Sequence, residues 1–319
     1  MQILFADKFP AKQLQQLQAS GYATIFQPDL QAADLPANIA GNDVLVVRST
    51  KVDKETIQAA NNLKLIIRAG AGTNTIDKAF AAERGITVCN VPGKNSVAVA
   101  ELTLGLLLSI DRNIPDNVRE LRDGQWNKKR YSSAQGLMGR TIGIIGAGSI
   151  GMAVAERARA FGLSVLMINK PGRSQAILDR MNSLGISTVE SIDILVAESD
   201  IVSVHVPATD STRNLINAEL LSKMRDGAIL LNTSRGDVVD EQALLDAMDS
   251  KSIRAGLDVY PNEPGQAACE FDCQLAKHTN VYGTHHIGAS TEQAQSAVAD
   301  GVLEVVKAFE NGTKLNCVN

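Results

Sequence analysis

Short apolar runs rich in β-branched residues alternate with helical stretches along the first hundred residues. QILFA (2–6), YATIF (22–26), DVLVVRS (43–49), LKLIIRAG (63–70) and ITVCNV (86–91) read as strands. AKQLQQLQAS (11–20), stopped by Gly21, and KETIQAANN (54–62) read as helices between them. Continuous runs of this kind, spaced by helices, indicate a parallel sheet covered on both faces. VAVAELTLGLLLSI (97–110) then interrupts the alternation. It is apolar on nearly every side, so it predicts a helix buried on several faces, between domains or between subunits. It contains Glu101 and is too short to span a bilayer. The alternation resumes with TIGIIG (141–146), LSVLMI (163–168), IVSVHV (201–206), AILLNTS (228–234) and IRAGLDVY (253–260). The chain therefore carries two α/β units. The last helical stretch, EQAQSAVADGVLEVVKAFENG (292–312), is expected to return to the first.

The strand at 141–145 runs into Gly146-x-Gly148-x-x-Gly151 and the amphipathic stretch SIGMAVAERARAFG. That context predicts a dinucleotide-binding turn. Gly146 permits the tight turn, Gly148 lets backbone approach a pyrophosphate, and Gly151 allows close helix–sheet packing. The next strand ends in Asn169, Lys170, Pro171, Gly172 and Arg173, without the acid that usually holds a ribose 2′-hydroxyl. Loss of that charge, with Lys170 and Arg173 nearby, favours tolerance of NADP; the alternative is that both cations are solvated and NAD is used.

Three more stretches stand at predicted strand ends, where open α/β sheets bind ligands. They carry Arg235, then Asp258 and Glu263, then His285 and His286. The planar fork of Arg235 suits a carboxylate, and a histidine beside a carboxylate can shuttle a proton near neutral pH. After the strand at 63–70, Gly70, Ala71 and Gly72 could present consecutive N–H groups to a substrate carboxylate. Arg48, Ser49 and Lys51 end another strand, and Lys94 and Asn95 precede the apolar helix.

Composition narrows the function classes. The 319 residues are 45% hydrophobic with a net charge of −4, which gives no footprint for nucleic acid. Four cysteines are too few for a disulfide scaffold, and no basic n-region precedes an apolar stretch at the start. A cytoplasmic enzyme acting on a small molecule, not at a membrane, is the expectation. Cys269, Cys273 and His278 are too few and too irregular for zinc, so no metal is expected. The basic WNKKRY (126–131) reads as a solvated loop.

These stretches together resemble the D-isomer-specific 2-hydroxyacid dehydrogenase family, and within it the short D-3-phosphoglycerate dehydrogenases. The motifs are VVRSTKV, LKLIIRAGAGTNTID, VCNVPGKNSVAVAE, GIIGAGSIG, HVPATDSTRNLI, NTSRGDVVDEQAL, GLDVYPNEP and HHIGASTEQAQ. The resemblance implies two doubly wound parallel-sheet domains. A nucleotide-binding (Rossmann) domain, 99–286, is inserted into a flavodoxin-like substrate domain, 1–98 plus 287–319. It implies a catalytic trio of Arg235, Glu263 and His286, and a cleft between domains for cofactor and substrate. Further contacts to NAD(P)(H) are implied from Ser149, Ile150, His205, Val206, Pro207, Thr212, Thr233, Ser234, Asp258, Gly288 and Ala289. A homodimer through the nucleotide domains is implied as well. Most relatives have proline where this chain has His285, which is expected to face solvent. Serine feedback through the C-terminal regulatory domain of longer phosphoglycerate dehydrogenases is not expected. The activity implied is oxidation of D-3-phosphoglycerate in serine biosynthesis. The alternatives are an NADPH-linked glyoxylate or hydroxypyruvate reductase, and a nucleotide-sensing corepressor.

Overall fold

Strand β3 (Val44–Val47) is buried at every residue, as a strand covered on both faces must be. It is the centre of a parallel sheet with β1 (Gln2–Phe5), β2 (Ala23–Phe26), β4 (Leu65–Arg68) and β5 (Thr87–Asn90), in the order β2-β1-β3-β4-β5. Alternate residues divide between two cores. Ile3, Phe5, Val46, Ile67 and Cys89 pack on one face, and Leu4, Leu45, Val47, Ile66 and Val88 on the other. In the computed structural model, which describes residues 1–264 and 268–319, this sheet belongs to a unit made of Met1–Asn95 and Ala289–Asn319.

The helix Glu292–Glu310 lies over the first of these cores. Thr291 caps it, its side chain accepting from the N–H of Ala294 at 3.1 Å. Gln13 donates to Asp300 at 2.8 Å and the Tyr22 hydroxyl donates to Glu310, fixing its rotation. A Cβ on Gly301 would lie 2.4 Å from Val91, so only glycine allows this approach.

The second unit, Ser96–Gly288, is a seven-stranded parallel sheet. Its strands are β6 (Thr141–Ile145), β7 (Ser164–Ile168), β8 (Ser187–Val189), β9 (Ile201–Val204), β10 (Ile229–Asn232), β11 (Arg254–Leu257) and β12 (Val281–Gly283). Their order is β12-β11-β10-β9-β6-β7-β8. The apolar helix Ser96–Arg112 lies within this unit, across the helix Ser149–Ala160 and strands β10 to β12. Ala100, Leu104, Leu107 and Ile110 are its buried seam. After it comes the helix Ile114–Arg122, whose Ile114, Val118 and Leu121 are exposed. No helix among the described residues is long and apolar enough to cross a membrane.

Candidate active site

In the second sheet the strand order reverses between β6 and β9, and such a switch point opens a crevice at the strands' carboxyl ends. Gly146 stands there with φ 111°, and a Cβ on it would lie 2.3 Å from the carbonyl oxygen of His205. A Cβ on Gly151 would lie 1.9 Å from the carbonyl oxygen of Gly146, so the helix Ser149–Ala160 starts hard against the turn. Nothing lies within 4 Å of the Cβ position on Gly148, the N-cap of that helix. Gly148 and Ser149 are exposed at the positive end of the helix dipole, with room beside them that fits a pyrophosphate. A hollow of about 920 Å³ touches Gly148 and Ser149 and runs down the helix to Glu156, Arg157 and Arg180. It is not lined by Ile150, Asn169 or His205, so the dinucleotide position is marked by the backbone rather than by this hollow.

At the end of β7 the side-chain amide of Asn169 donates to Glu190 at 3.4 Å. Glu190 follows the neighbouring strand β8, so a carboxylate does stand beside the position where the local sequence lacks one. The Arg173 guanidinium donates to the sulfur of buried Met181 at 3.5 Å, and burial lowers its pKa. It is packed on the helix Gln175–Ser183 rather than set beside Asn169. His205, after β9, shares a 2.8 Å hydrogen bond between Nε2 and the Ser203 hydroxyl. Burial pushes its pKa down to about 4, so the ring is neutral at physiological pH. Thr212 accepts from the N–H of Thr209 at 2.8 Å and donates to the Pro207 carbonyl at 2.5 Å, bracing the Val206-Pro207 loop.

The loop after β10 is organised by buried Asn232. Its carbonyl oxygen accepts from the N–H and hydroxyl of Ser234, and its amide donates to the carbonyl of Arg235 at 2.9 Å. Thr233 is joined to Thr103 by a 2.9 Å hydroxyl contact. Arg235 Nη1 donates to the Ser234 carbonyl at 2.6 Å, which anchors one arm of the guanidinium. Gly236 must be glycine, because a Cβ there would lie 2.1 Å from the backbone of Tyr260.

Asp258, 1% exposed at the end of β11, organises the loop after β12. Its Oδ1 accepts from the Thr284 hydroxyl (2.7 Å) and the N–H of Ile287 (2.8 Å), and its Oδ2 from the N–H of Gly288 (2.9 Å). Its carbonyl accepts from the N–H of His286 at 2.8 Å. Most of its acceptor capacity is therefore taken within the protein, and its first job is to shape the histidine loop. That loop holds His286 at φ 52° with Nδ1 2.6 Å from Glu263 Oε2. The other Glu263 oxygen accepts from the N–H of Tyr260 at 2.7 Å. A carboxylate facing Nδ1 keeps the proton on that nitrogen and leaves the Nε2 lone pair outward on a half-exposed ring. His285 is exposed, and among the described residues it makes no bond to Glu263.

In the first unit the order reverses between β1 and β3, again placing a crevice at strand ends. Asp7, which the sequence pattern did not single out, accepts there from the N–H groups of Arg48, Ser49 and Thr50 and from the Ser49 hydroxyl. Arg48 also donates to the Ser290 hydroxyl at 3.2 Å. Lys94 pairs with Glu304 at 3.7 Å. The expected run of three N–H donors at Gly70, Ala71 and Gly72 needs correction. The N–H of Gly70 donates to the Arg68 carbonyl at 2.8 Å, in a tight turn with φ 142°. That turn takes the Gly70 N–H out of the expected run. The carbonyl of Ala71 is held by the Asn90 amide at 2.6 Å. Lys51 is exposed in the loop after β3, and Asn95 is the residue before the helix Ser96–Arg112.

Comparison with known proteins gives the family and the fold. Residues 104–288 match the family model for the NAD-binding domain of D-isomer-specific 2-hydroxyacid dehydrogenases. The chain is 41% identical over 285 residues to a D-3-phosphoglycerate dehydrogenase of Methanocaldococcus jannaschii, covering 89% of this chain and 52% of the relative. It thus spans about half the length of that protein. It is 43% identical over 283 residues to a hydroxypyruvate reductase of Thermotoga maritima, covering 88% of each. Among solved structures, an NAD-dependent formate dehydrogenase of Staphylococcus aureus in complex with NAD superposes with a TM-score of 0.83 at 28% identity, over 100% of this chain and 99% of that one. With the glycine turn at a switch point and a histidine–glutamate pair at neighbouring strand ends, the chain belongs to the D-isomer-specific 2-hydroxyacid dehydrogenase family.

Proposed function

We propose that the protein catalyses the NAD-linked, reversible oxidation of D-3-phosphoglycerate to 3-phosphohydroxypyruvate, as a cytoplasmic enzyme of serine biosynthesis. The observation that carries the chemistry is the 2.6 Å contact between His286 and Glu263, since a purely binding protein such as a corepressor needs no acid–base pair. The nicotinamide, when bound, supplies the hydride acceptor. His286 Nε2 takes the proton of the substrate hydroxyl as hydride leaves the same carbon. Glu263 holds the Nδ1–H and stabilises the imidazolium that results. Arg235 binds the carboxylate and the oxygen that becomes the carbonyl. Arg48, Ser49, Lys51, the N–H groups of Ala71 and Gly72, Lys94 and Asn95 are the substrate-binding positions assigned to the first unit. Gly146, Gly148, Ser149, Ile150 and Gly151, with His205–Pro207, Thr233, Ser234, Asp258, Gly288 and Ala289, are assigned to the cofactor.

Glu190 tips the cofactor reading from NADP tolerance to NAD. Its carboxylate supplies the negative charge that Asn169 lacks, and it would repel a 2′-phosphate. Arg173, turned onto Met181, is poorly placed to offset it.

Hydroxypyruvate reduction is the second reading, favoured by the 43% identity to the T. maritima enzyme. One kinetic panel tests both readings. Phosphohydroxypyruvate, hydroxypyruvate, glyoxylate and pyruvate are each assayed with NADH and NADPH, using wild type and Glu190→Gln. Phosphohydroxypyruvate with NADH should give the highest kcat/KM. Glu190→Gln should narrow the NADH preference by roughly tenfold, with the same change in titrated cofactor Kd. A preference for hydroxypyruvate replaces the substrate assignment. An unchanged NADPH/NADH ratio removes Glu190 from cofactor selection.

A further inference from the structure

The residues after the helix Glu292–Glu310 extend the first unit's sheet. They run antiparallel to its edge strand β5: the N–H of Asn90 donates to the Asn316 carbonyl at 3.2 Å, and that of Val318 to the Val88 carbonyl at 2.9 Å. The side chain of Asn319 closes the ladder, accepting from the N–H of Val88 and donating to the Ile86 carbonyl, both at 2.8 Å. Cys89 and Cys317 are bridge partners directly opposite one another. The two flanking bonds identify their place as a non-hydrogen-bonded antiparallel pair. In such a pair the Cα atoms lie about 4.5 Å apart and the side chains share a face. That separation is within the roughly 4.4–6.8 Å span of disulfides.

The packing agrees on the shared face. Cys89 is buried in the core under the helix Glu292–Glu310, whereas Val318 packs into the core on the opposite side of the sheet. Cys317, one residue before Val318, is therefore on the Cys89 side. Both are free thiols, Cys89 1% exposed and Cys317 exposed.

We propose that Cys89 and Cys317 form a reversible oxidation site, in which a disulfide staples the segment at 313–319 to β5. The exposed thiol meets the oxidant first. Its sulfur attacks hydrogen peroxide, forming an S–O bond as the O–O bond breaks, with loss of one water. The resulting sulfenic acid is attacked by the sulfur of Cys89, forming the S–S bond and releasing a second water. Two thiols thus lose two electrons and two protons, and one peroxide becomes two waters. Burial, and the Cys317 sulfur nearby, push the Cys89 thiol up to about 11. Cys89 is consequently the resolving partner rather than the first to react. The unit is assembled from two distant pieces of chain, Met1–Asn95 and Ala289–Asn319, so the bond would join those pieces covalently.

The test is graded hydrogen peroxide treatment of the full chain, followed by peptide mapping without reduction. The expected result is a cross-linked peptide pair joining Cys89 to Cys317, about 2 Da lighter than the sum of its parts and lost on adding a dithiol. The oxidised protein should unfold at a midpoint higher by about 5 °C or more, because the bridge closes a long loop. Cys89→Ser should leave Cys317 as a sulfenic acid that a dimedone probe labels, whereas Cys317→Ser should leave Cys89 reduced. Oxidation of Cys317 to sulfinic acid with Cys89 still free in wild type would overturn the proposal. So would linkage of Cys317 to Cys269 or Cys273. The wild-type map decides even where a serine variant does not fold.

Discussion

His286 is held in the left-handed backbone region, which costs a non-glycine residue of order 1–3 kcal/mol. Asp258 offsets that cost by taking the His286 N–H on its carbonyl and the Ile287 and Gly288 N–H groups on its carboxylate. His286→Ala should lower kcat by ~10² to 10⁴ and leave the cofactor Kd close to wild type. His285→Ala, which removes an exposed ring, should change kcat much less. Steady-state rates and a fluorescence titration of NADH check this, and equal losses at both positions would reverse the assignment. His205 makes a separate prediction. The folded state keeps this ring neutral down to about 4, whereas an unfolded chain protonates it from 6.5 downward. Its contribution is thus intact above pH 6.5 and declines as pH falls toward 4, by ~2 kcal/mol between pH 7 and pH 5. Urea unfolding at the two pH values should show that much more acid destabilisation in wild type than in His205→Asn; identical slopes would contradict it.

At the scale of elements, the glycine turn joins β6, the helix Ser149–Ala160 and β9 into one rigid corner. Gly146→Ala places a methyl 2.3 Å from the His205 carbonyl at φ 111°, so the ends of β6 and β9 must part. Destabilisation of more than about 2 kcal/mol and loss of NADH binding are expected. Gly172→Ala, also at positive φ (81°) but with nothing within 4 Å, should cost only ~1 kcal/mol. Thermal unfolding of the two variants separates steric clash from backbone preference alone. The central strands were legible because their buried runs are long and β-branched, as in TIGII and VLVV. The edge strand β8 (STV) escaped, since three largely exposed residues carry no hydrophobic period.

At the scale of the whole molecule, the helix Ile114–Arg122 leaves Ile114, Val118 and Leu121 on one exposed stripe at i, i+4 and i+7. Exposed stripes of this kind mark association surfaces, and we propose that two copies of the chain pair through this one. Light scattering after size-exclusion chromatography should give twice the chain mass of 34.0 kDa for wild type and a monomer for Val118→Asp with Leu121→Asp. A monomeric wild type would remove the dimer. The first unit takes its last helix from residues 292–310, and Gln13–Asp300 and Tyr22–Glu310 join partners almost the whole chain apart.

The sequence by itself determined what is local. Strand and helix periods, the glycine turn and the residue types at strand ends each depend on neighbours within a few positions, and short-range sterics decide them. Only the tertiary structure decided the pairings between segments. Asp7 gathers the loop at Arg48 because β1 and β3 are adjacent at a switch point. Glu190 meets Asn169 because β8 pairs with β7, and Gly70 spends its N–H on its own turn. The histidine–glutamate contact was inferable from residue types and resemblance. Its geometry comes from Asp258, whose carboxylate reaches loop donors 26 to 30 residues away. Such contacts form between strands brought together by burial of their apolar faces, and that burial is a property of the whole sheet rather than of any short stretch.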